Sequence, residues 1–197
     1  MSAIIGKPAP SFEMDAFLSE TVEVKKVRLE EFKGKWLILY FYPADFTFVC
    51  PTELKDLAEL YSTIQQIGGE VMTISTDTVY AHKAWLEIEM LLKNVKYPMA
   101  ADPNGAYSKA YGAYDEALGL ARRATFIIDP DGVLRVSYIV DEPIGRSSNE
   151  VVRLLNALKF VRENPGLACP ASWDKGDPAL KPSVRIAGHV HETLEKK

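Results

Sequence analysis

An unbroken run of seven apolar residues, WLILYFY at positions 36–42, restricts the possible folds of this chain more than any other feature. A half-buried strand or an amphipathic helix would interrupt the run with polar residues, so both faces of this segment must be covered. A strand buried on both faces is typical of an α/β sheet with helices on either side. The run is far shorter than the ~20 residues needed to span a bilayer, so no membrane partner is expected.

Two helices are predicted in the first half of the chain from apolar residues that recur at helical spacing. The first begins near Cys50, where Pro51 suits the first turn, and ends at Gly68. The second covers residues 79–93. Its predicted inward-facing residues are Trp85, Leu86 and Met90.

Three further strands are predicted from short stretches in which side chains alternate. Residues 71–75 form the first of these strands. Residues 124–128 and 134–140 form an antiparallel pair, because the turn sequence DPDG at 129–132 lies between them.

A third helix begins at Ser147, which forms a capping-box pattern with Glu150, and ends at Asn164. The alternation of strands and helices predicts the α/β class and, within it, a thioredoxin-like fold with an N-terminal extension. We predict that residues 1–165 form this domain. Residues 166–197 form a C-terminal arm, because they hold several prolines and no long apolar period.

Charge and composition argue against several classes of function. The chain has 27 acidic and 23 basic residues, a net charge of −4, so nucleic acid is not an expected partner. The first eight residues lack a secretory pattern, which predicts a cytoplasmic protein. His82, His189, His191 and the two cysteines show no metal-ligand spacing, so no metal is expected and the last two histidines are read as part of a solvated tail.

Cys50 is the residue whose surroundings point most directly to chemistry. It lies where a buried strand gives way to a helix N-terminus, and the helix dipole there favours a thiolate over a thiol. The alternative is a small buried cysteine that packs like alanine. The residue three positions later is Glu53, so there is no C-x-x-C pair and ordinary dithiol exchange is excluded.

A reactive thiolate at this position also needs groups that stabilise charge on a departing oxygen. Thr47, three residues before Cys50, can place a hydroxyl beside the sulfur. Arg123, at the start of a predicted strand, can supply a permanent cation, although spacing alone does not separate it from Arg122. Pro43 would shield the pocket from water.

The segment PADFTFVC at 43–50 resembles the P-x-x-x-T-x-x-C motif of peroxiredoxins. It is most similar to the alkyl hydroperoxide reductase C-subunit group of typical two-cysteine enzymes. Five further blocks extend the resemblance along nearly the whole chain. They are STDT at 75–78, HKAW at 82–85, RATF at 123–126, GR at 145–146 and CPASW at 169–173.

The resemblance assigns roles to the site residues. It implies that Cys50 is the peroxidatic cysteine and that Thr47 and Arg123 hold the peroxide under Pro43. Glu53 and Arg146 would orient Arg123. For these last two the alternatives are an ordinary acid in the first turn of a helix and a solvated loop arginine.

Cys169 matches the resolving cysteine of the family, with a harmless arm thiol as the alternative. The resemblance implies an antiparallel homodimer in which Cys50 and Cys169 of different subunits form a disulfide, and a decameric ring of five dimers. A flavoprotein reductase or a thioredoxin-like protein would regenerate the thiols, and no bound cofactor is needed. A redox sensor and a ring-forming holdase chaperone are the alternative functions, and the preferred hydroperoxide is left open.

Overall fold

The computed structural model describes residues 3–194. The chain divides into two compact units, residues 1–148 and 149–197. Nine strands and five α-helices are assigned within the described residues. The strands are β1 (Glu13–Leu18), β2 (Glu23–Arg28), β3 (Trp36–Phe41), β4 (Gly69–Ser75), β5 (Met99–Ala101), β6 (Tyr114–Asp115), β7 (Leu120–Ala121), β8 (Arg123–Ile128) and β9 (Leu134–Val140). The helices are α1 (Cys50–Ile67), α2 (Val79–Ile88), α3 (Ala106–Ala110), α4 (Ser148–Glu163) and α5 (His191–Leu194).

A seven-stranded mixed sheet organises the first unit, in the order β2-β1-β5-β4-β3-β8-β9. Strands β3, β4 and β5 are parallel to one another, and the remaining pairs are antiparallel. The predicted α/β class and thioredoxin-like fold are confirmed. Every residue of β3 is buried, as the apolar run predicted.

The register between β3 and β8 positions the candidate site. Phe41, the last residue of β3, pairs with Ala124 near the start of β8. Because the two strands are antiparallel, the start of β8, with Arg123, lies beside the end of β3, where the chain continues toward α1. Helix α1 then begins at Cys50, as predicted, and ends where Gly68 adopts a left-handed conformation with φ 94°.

The second predicted helix is shorter than expected. Helix α2 ends at Ile88 instead of continuing to residue 93, and the predicted inward position of Met90 is wrong, since 75% of this residue is exposed. Glu89 interrupts the helix by adopting an extended backbone conformation, and its carboxylate accepts a hydrogen bond from the N–H of Leu91. The 3-10 turn that follows buries Leu92 in place of Met90.

The predicted N-terminal extension contains a hairpin that the sequence patterns did not reveal. Strands β1 and β2 pair along their full length, and β1 also joins β5. Val27 is the only buried residue of β2, so this edge strand carries almost no apolar alternation. The antiparallel pair β8–β9 and its turn match the prediction.

The second unit begins with α4, which starts one residue after Ser147 and ends at Glu163, close to the predicted boundaries. After α4 the described chain is mainly irregular, with a bridge between Ala168 and Leu180. The indole of Trp173 packs on the ring of Phe160, with centroids 4.8 Å apart. Within residues 3–194, no helix combines the length and apolar character needed to cross a membrane.

Candidate active site

Cys50 is the first residue of α1 and is fully buried. Val49 precedes it at the N-cap with φ −82° and ψ −38°, and provides no side-chain hydrogen bond to the helix. The backbone N–H groups of Thr52 and Glu53 both donate to the carbonyl of Val49, at 3.1 and 3.2 Å. The thiol therefore lies at the positive end of an 18-residue helix whose entry lacks a side-chain cap.

Arg123 reaches the sulfur directly. Its Nη1 donates to Cys50 Sγ at 3.3 Å and to Glu53 Oε2 at 2.9 Å, and its Nε donates to the carbonyl of Glu142. Burial by itself lowers the pKa of this guanidinium, but hydrogen bonds and charge from Cys50 and Glu53 outweigh that effect and raise the pKa overall. Arg123 thus remains a permanent cation beside the thiol.

Arg122 and Arg123, which spacing could not separate, have opposite environments. Arg123 is 3% exposed and contacts Cys50, whereas Arg122 is exposed and forms an ion pair with Asp115 at 2.7 Å. Arg123 is the first residue of β8, every residue of which is buried, whereas Arg122 lies between β7 and β8.

Glu53 connects two buried arginines through one carboxylate. Arg146 donates to Oε1 from its backbone N–H at 2.7 Å and from Nε at 2.9 Å, and to Oε2 from Nη2 at 3.0 Å. The guanidinium of Arg146 also lies over the ring of Tyr40, 3.5 Å from its centroid. The residue before Arg146, Gly145, packs against the start of α1, since a Cβ there would lie 3.3 Å from Val49 Cγ1. Arg146 is buried and therefore is not a solvated loop arginine, and Glu53, although it lies in the first turn of α1, is buried against both guanidiniums.

Thr47 and Pro43 lie on the loop that joins β3 to α1. The Thr47 hydroxyl donates to the carbonyl of Ala44 at 2.9 Å, and Pro43 is buried. A hydroxyl has only one proton, and this hydrogen bond uses it. Toward any other group the Thr47 oxygen can then act only as an acceptor.

A buried polar network fixes this loop, and sequence reasoning missed it. Asp45 accepts a hydrogen bond from Tyr42 Oη at 2.7 Å, and its other oxygen lies 2.8 Å from His82 Nδ1. The Asp45 N–H also donates to Asp77 Oδ2 at 2.9 Å. Asp77 lies in the block STDT and His82 in the block HKAW, so the family resemblance had marked both segments. Nothing in the spacing of these blocks revealed Asp45 as the shared partner of the two residues.

Cys169 lies in the second unit, in the irregular chain after α4. Its thiol is half-buried, and Sγ lies 3.9 Å from the carbonyl of Ala157. Burial raises the pKa of Cys169, and the positive charge of Arg153 partly opposes this. Glu150 and the carbonyl of Trp173 hold Arg153 in place. Both cysteines are free thiols.

No group of three or more His, Cys, Asp or Glu side chains within residues 3–194 is arranged to hold a metal ion. His189 and His191 lie in the exposed end of the chain, and His189 forms an ion pair with Glu192 at 3.3 Å. The fold and the site together define a thiol enzyme whose one fully buried cysteine is paired with a guanidinium.

Comparisons with known proteins agree with this class. Residues 5–137 match the AhpC/TSA family, and residues 157–187 match the C-terminal domain of 1-Cys peroxiredoxin. Alkyl hydroperoxide reductase C of Staphylococcus epidermidis is 40% identical over 188 residues, which cover 95% of this chain and 100% of the relative. The protein of the same name from Staphylococcus aureus is 41% identical over the same shares.

Solved structures give the same result. The crystal structure of Enterococcus faecalis AhpC is 44% identical, with a TM-score of 0.80 over 86% of this chain and 100% of the other. The reduced 2-Cys peroxiredoxin of Plasmodium vivax is 32% identical, with a TM-score of 0.89 over 95% and 98%. The chain therefore belongs to the AhpC/TSA family and is a peroxiredoxin, a thiol-dependent oxidoreductase that acts on peroxide. Family membership implies a peroxide substrate and a reductase partner.

Proposed function

We propose that Cys50 is the peroxidatic cysteine of this enzyme and that it reduces both hydrogen peroxide and organic hydroperoxides. The observation that supports this most directly is the 3.3 Å contact between Arg123 Nη1 and Cys50 Sγ in a fully buried setting. The same guanidinium is bound to Glu53, which also binds Arg146, so the sulfur lies beside a buried cluster of two arginines and one carboxylate. A fixed cation beside the sulfur is typical of reactive cysteines.

In the first step the Cys50 thiolate attacks the terminal oxygen of the hydroperoxide. An S–O bond forms, the O–O bond breaks, and its electron pair leaves with the second oxygen, which takes up a proton to become water or an alcohol. Sulfur is oxidised to sulfenic acid and the peroxide is reduced. Arg123 donates to the oxygen that gains charge, while the Thr47 oxygen accepts a hydrogen bond from the O–H of the incoming peroxide, and that proton stays on the oxygen transferred to sulfur. A fixed donor of this kind contributes about 10²- to 10³-fold in rate.

Glu53 and Arg146 act through Arg123. Glu53 Oε2 accepts a hydrogen bond from Arg123 at 2.9 Å, and Arg146 donates hydrogen bonds to both oxygens of Glu53. Because every member is buried and hydrogen-bonded, the network restricts Arg123 to one orientation. Pro43 is buried at the start of the loop between β3 and α1, and it shields the reacting atoms from water.

In the second step we propose that Cys169 of another subunit condenses with the sulfenic acid. The S–O bond breaks as the S–S bond forms, and water is released. Cys50 is fully buried, so the first turn of α1 must unwind before the two sulfurs meet. The missing side-chain cap at Val49 lowers the cost of this unwinding. Residues 166–197 then serve as the arm that carries the resolving thiol from the thioredoxin-like domain of residues 1–165.

The proposal extends to the rest of the cycle, with family membership as its support. A flavoprotein disulfide reductase or a thioredoxin-like protein reduces the Cys50–Cys169 disulfide by thiol–disulfide exchange. The enzyme works in the cytoplasm as an antiparallel homodimer, and five dimers form a decamer. The cycle needs no bound cofactor, because sulfur carries the electrons.

The test measures peroxide consumption, with dithiothreitol as the reductant, for the wild type, Cys50→Ser and Cys169→Ser. We expect Cys50→Ser to lose turnover completely. Cys169→Ser should retain turnover, since a small thiol can replace the resolving cysteine, but should form no intersubunit disulfide on a non-reducing gel. A fully active Cys50→Ser protein would end the proposal, and an intersubunit disulfide in Cys169→Ser would end the assignment of the resolving residue.

A further inference from the structure

His82 is a fully buried histidine on α2 that has no part in the steps proposed for Cys50. Its Nδ1 lies 2.8 Å from Asp45 Oδ2, and its Nε2 lies 3.2 Å from the carbonyl oxygen of Ala100. The side chains of His82 and Asp45 are both 0% exposed. Each ring nitrogen therefore faces an oxygen atom, and the hydrogen bonds that form depend on which nitrogens carry a proton.

The oxygens around the ring require a proton on both nitrogens. A carbonyl oxygen only accepts hydrogen bonds, so Nε2 must donate to Ala100. Tyr42 Oη lies 3.4 Å from Nδ1 but donates to Asp45 Oδ1 at 2.7 Å, so the tyrosine proton is not available to the ring. Nδ1 and Asp45 Oδ2 are thus joined by one further proton. Because imidazole is a stronger base than a carboxylate, this proton lies on Nδ1, and His82 and Asp45 form a buried ion pair.

The groups around this pair favour a charged imidazole. Burial raises the pKa of Tyr42 well above its usual value, so the phenol is neutral. Asp77 Oδ2 accepts hydrogen bonds from the Asp45 N–H at 2.9 Å and from Ser75 Oγ at 2.7 Å, which places a second carboxylate close to the first. A cation at His82 offsets the repulsion between the two carboxylates.

The ion pair holds a strained part of the loop that carries Thr47. Asp45 is bound through both its carboxylate and its backbone N–H. The next residue, Phe46, has φ 57°, a left-handed conformation that a bulky residue keeps only where its surroundings enforce it. Thr47 follows, and its hydroxyl donates to the carbonyl of Ala44, the residue before Asp45, at 2.9 Å. The position of the Thr47 oxygen therefore depends on how firmly Asp45 is held.

We infer that His82 is a positioning residue of the peroxidase site: as an imidazolium paired with Asp45, it holds the loop in the conformation that directs the Thr47 oxygen toward the peroxide. The inference rests on the proposed roles of Cys50 and Thr47. His82 acts through Asp45 and Thr47 instead of contacting the reacting atoms. Loss of the pair should therefore impair the reaction with peroxide, which needs the Thr47 oxygen, and spare a reaction of Cys50 that does not need it.

The kinetic experiment uses the Cys169→Ser protein, in which Cys50 is the only cysteine. It compares two single-turnover rates, the oxidation of Cys50 by hydrogen peroxide and its alkylation by iodoacetamide. His82→Gln, which cannot carry a charge, should slow oxidation by about 10- to 10²-fold, because a displacement of about 1 Å can cost that much. Alkylation should change by less than about threefold, since it depends on the thiolate and not on the Thr47 oxygen. Asp45→Asn removes the pair from the other side and should give the same result.

Two further variants complete the kinetic test. In a Thr47→Val background, His82→Gln should slow oxidation by less than about threefold more, because residues that act through one another are not additive. His189→Gln is the matched control, since the side chain of His189 is 64% exposed near the end of the chain, and both rates should stay at the values of the parent protein.

The charge on the ring is tested without changing His82. The chain has three histidines, so His189→Gln combined with His191→Gln leaves His82 as the only one. Nitrogen-15 NMR of this protein, labelled at the histidine ring nitrogens, distinguishes a doubly protonated ring from either neutral tautomer. At pH 7 we expect the doubly protonated form.

The outcomes separate this inference from the proposed function. An unchanged oxidation rate in both His82→Gln and Asp45→Asn would overturn the positioning role and leave the peroxidase intact. An equally large change in alkylation would also overturn it, because the substitutions would then have damaged the whole site. A full additional loss in the Thr47→Val background would exclude the route through Thr47, and a neutral ring would exclude the ion pair. A wild-type protein whose Cys50 hydrogen peroxide fails to oxidise would contradict the peroxidase proposal instead.

Discussion

The two cysteines of this chain occupy contrasting environments. Cys50 is fully buried at the start of a long helix, within hydrogen-bond reach of an arginine that a carboxylate holds in place. Cys169 is half-buried in irregular chain, and its sulfur lies 3.9 Å from a backbone carbonyl. The first thiol belongs to a preorganised polar site, whereas the second belongs to a segment with little regular structure.

This difference matches two different chemical tasks. Attack on an O–O bond needs donors fixed where charge develops, and fixed donors require a rigid and buried setting. Attack on a sulfenic acid needs a thiol that can travel, and travel requires a segment with few restraints. The contrast between a thiol in a buried polar network and a thiol in irregular chain leads to four predictions, three by substitution and one by a change of pH.

The largest effect is expected at Arg123. Arg123→Ala should slow the oxidation of Cys50 by hydrogen peroxide by about 10²- to 10³-fold, because it removes the donor beside the sulfur. Stopped-flow measurement of a single turnover gives this rate. Arg122→Ala is the adjacent control and should lose less than about threefold, since Arg122 is exposed and paired with Asp115. A larger loss in Arg122→Ala would contradict the assignment.

Glu53 tests whether the rigid site depends on its buried carboxylate. Glu53→Gln should lower the free energy of unfolding by about 3 kcal/mol or more, because it leaves two buried guanidiniums without their anion. Urea denaturation of the reduced protein measures this change. Glu59→Gln lies on the same helix and removes an exposed i,i+4 pair with Lys55 at 2.8 Å, so its cost should stay below about 0.5 kcal/mol. Equal losses in the two variants would mean that burial adds nothing to the Glu53 network.

The half-buried thiol of Cys169 predicts a pH dependence. Burial raises the pKa of Cys169, opposed by the charge of Arg153, so the thiol form dominates at neutral pH. The thiolate is the nucleophile, and its fraction rises with pH until the raised pKa is reached. The rate of disulfide formation after addition of one equivalent of peroxide should therefore rise by up to about tenfold per pH unit from about pH 7 to about pH 9. Quenched samples on non-reducing gels measure the rate, and a flat profile over this window would contradict attack by Cys169 as the slow step.

The smallest effect is expected at Trp173, which ties down the chain around Cys169. Trp173→Leu removes the stacking on Phe160 and the hydrogen bond from Nε1 to the Asp177 carbonyl. Local unfolding of residues 167–187 should then become a few-fold more frequent, which limited proteolysis reports as faster cleavage within this segment. Tyr80→Leu, an exposed aromatic on α2, serves as the control and should leave the cleavage rate unchanged. Slower cleavage in Trp173→Leu would mean that the indole does not restrain the segment.

The sequence predicted those elements of the fold whose own pattern is strong. Strand β3 is apolar throughout, α1 has Pro51 at its start and Gly68 at its end, and β8 and β9 flank a clear turn. Strand β5 has three residues, too few to establish a period. The edge strand β2 carries lysines and a glutamate where a half-buried strand would alternate, so its pairing with β1 decides its structure.

For the site, sequence reasoning named the residues but not how they are arranged. The motif suggested Cys50, Arg123, Glu53 and Arg146, yet only the fold brings together side chains up to 93 residues apart. The Asp45–His82 pair could not be predicted because its partners are separated by 37 residues and both types are common on surfaces. The 2.9 Å bond from Thr47 to the Ala44 carbonyl likewise depends on the exact course of the loop.

The uncapped entry of α1 has a consequence for anyone who engineers this protein. Serine, threonine or aspartate in place of Val49 would satisfy an N–H of the first turn, a change worth ~1 kcal/mol in many helices. A survey of stabilising substitutions would therefore select position 49 early. On the proposed mechanism, the gain in melting temperature would come with a slower catalytic cycle, since the stabilised turn is the one that opens each time Cys50 is resolved.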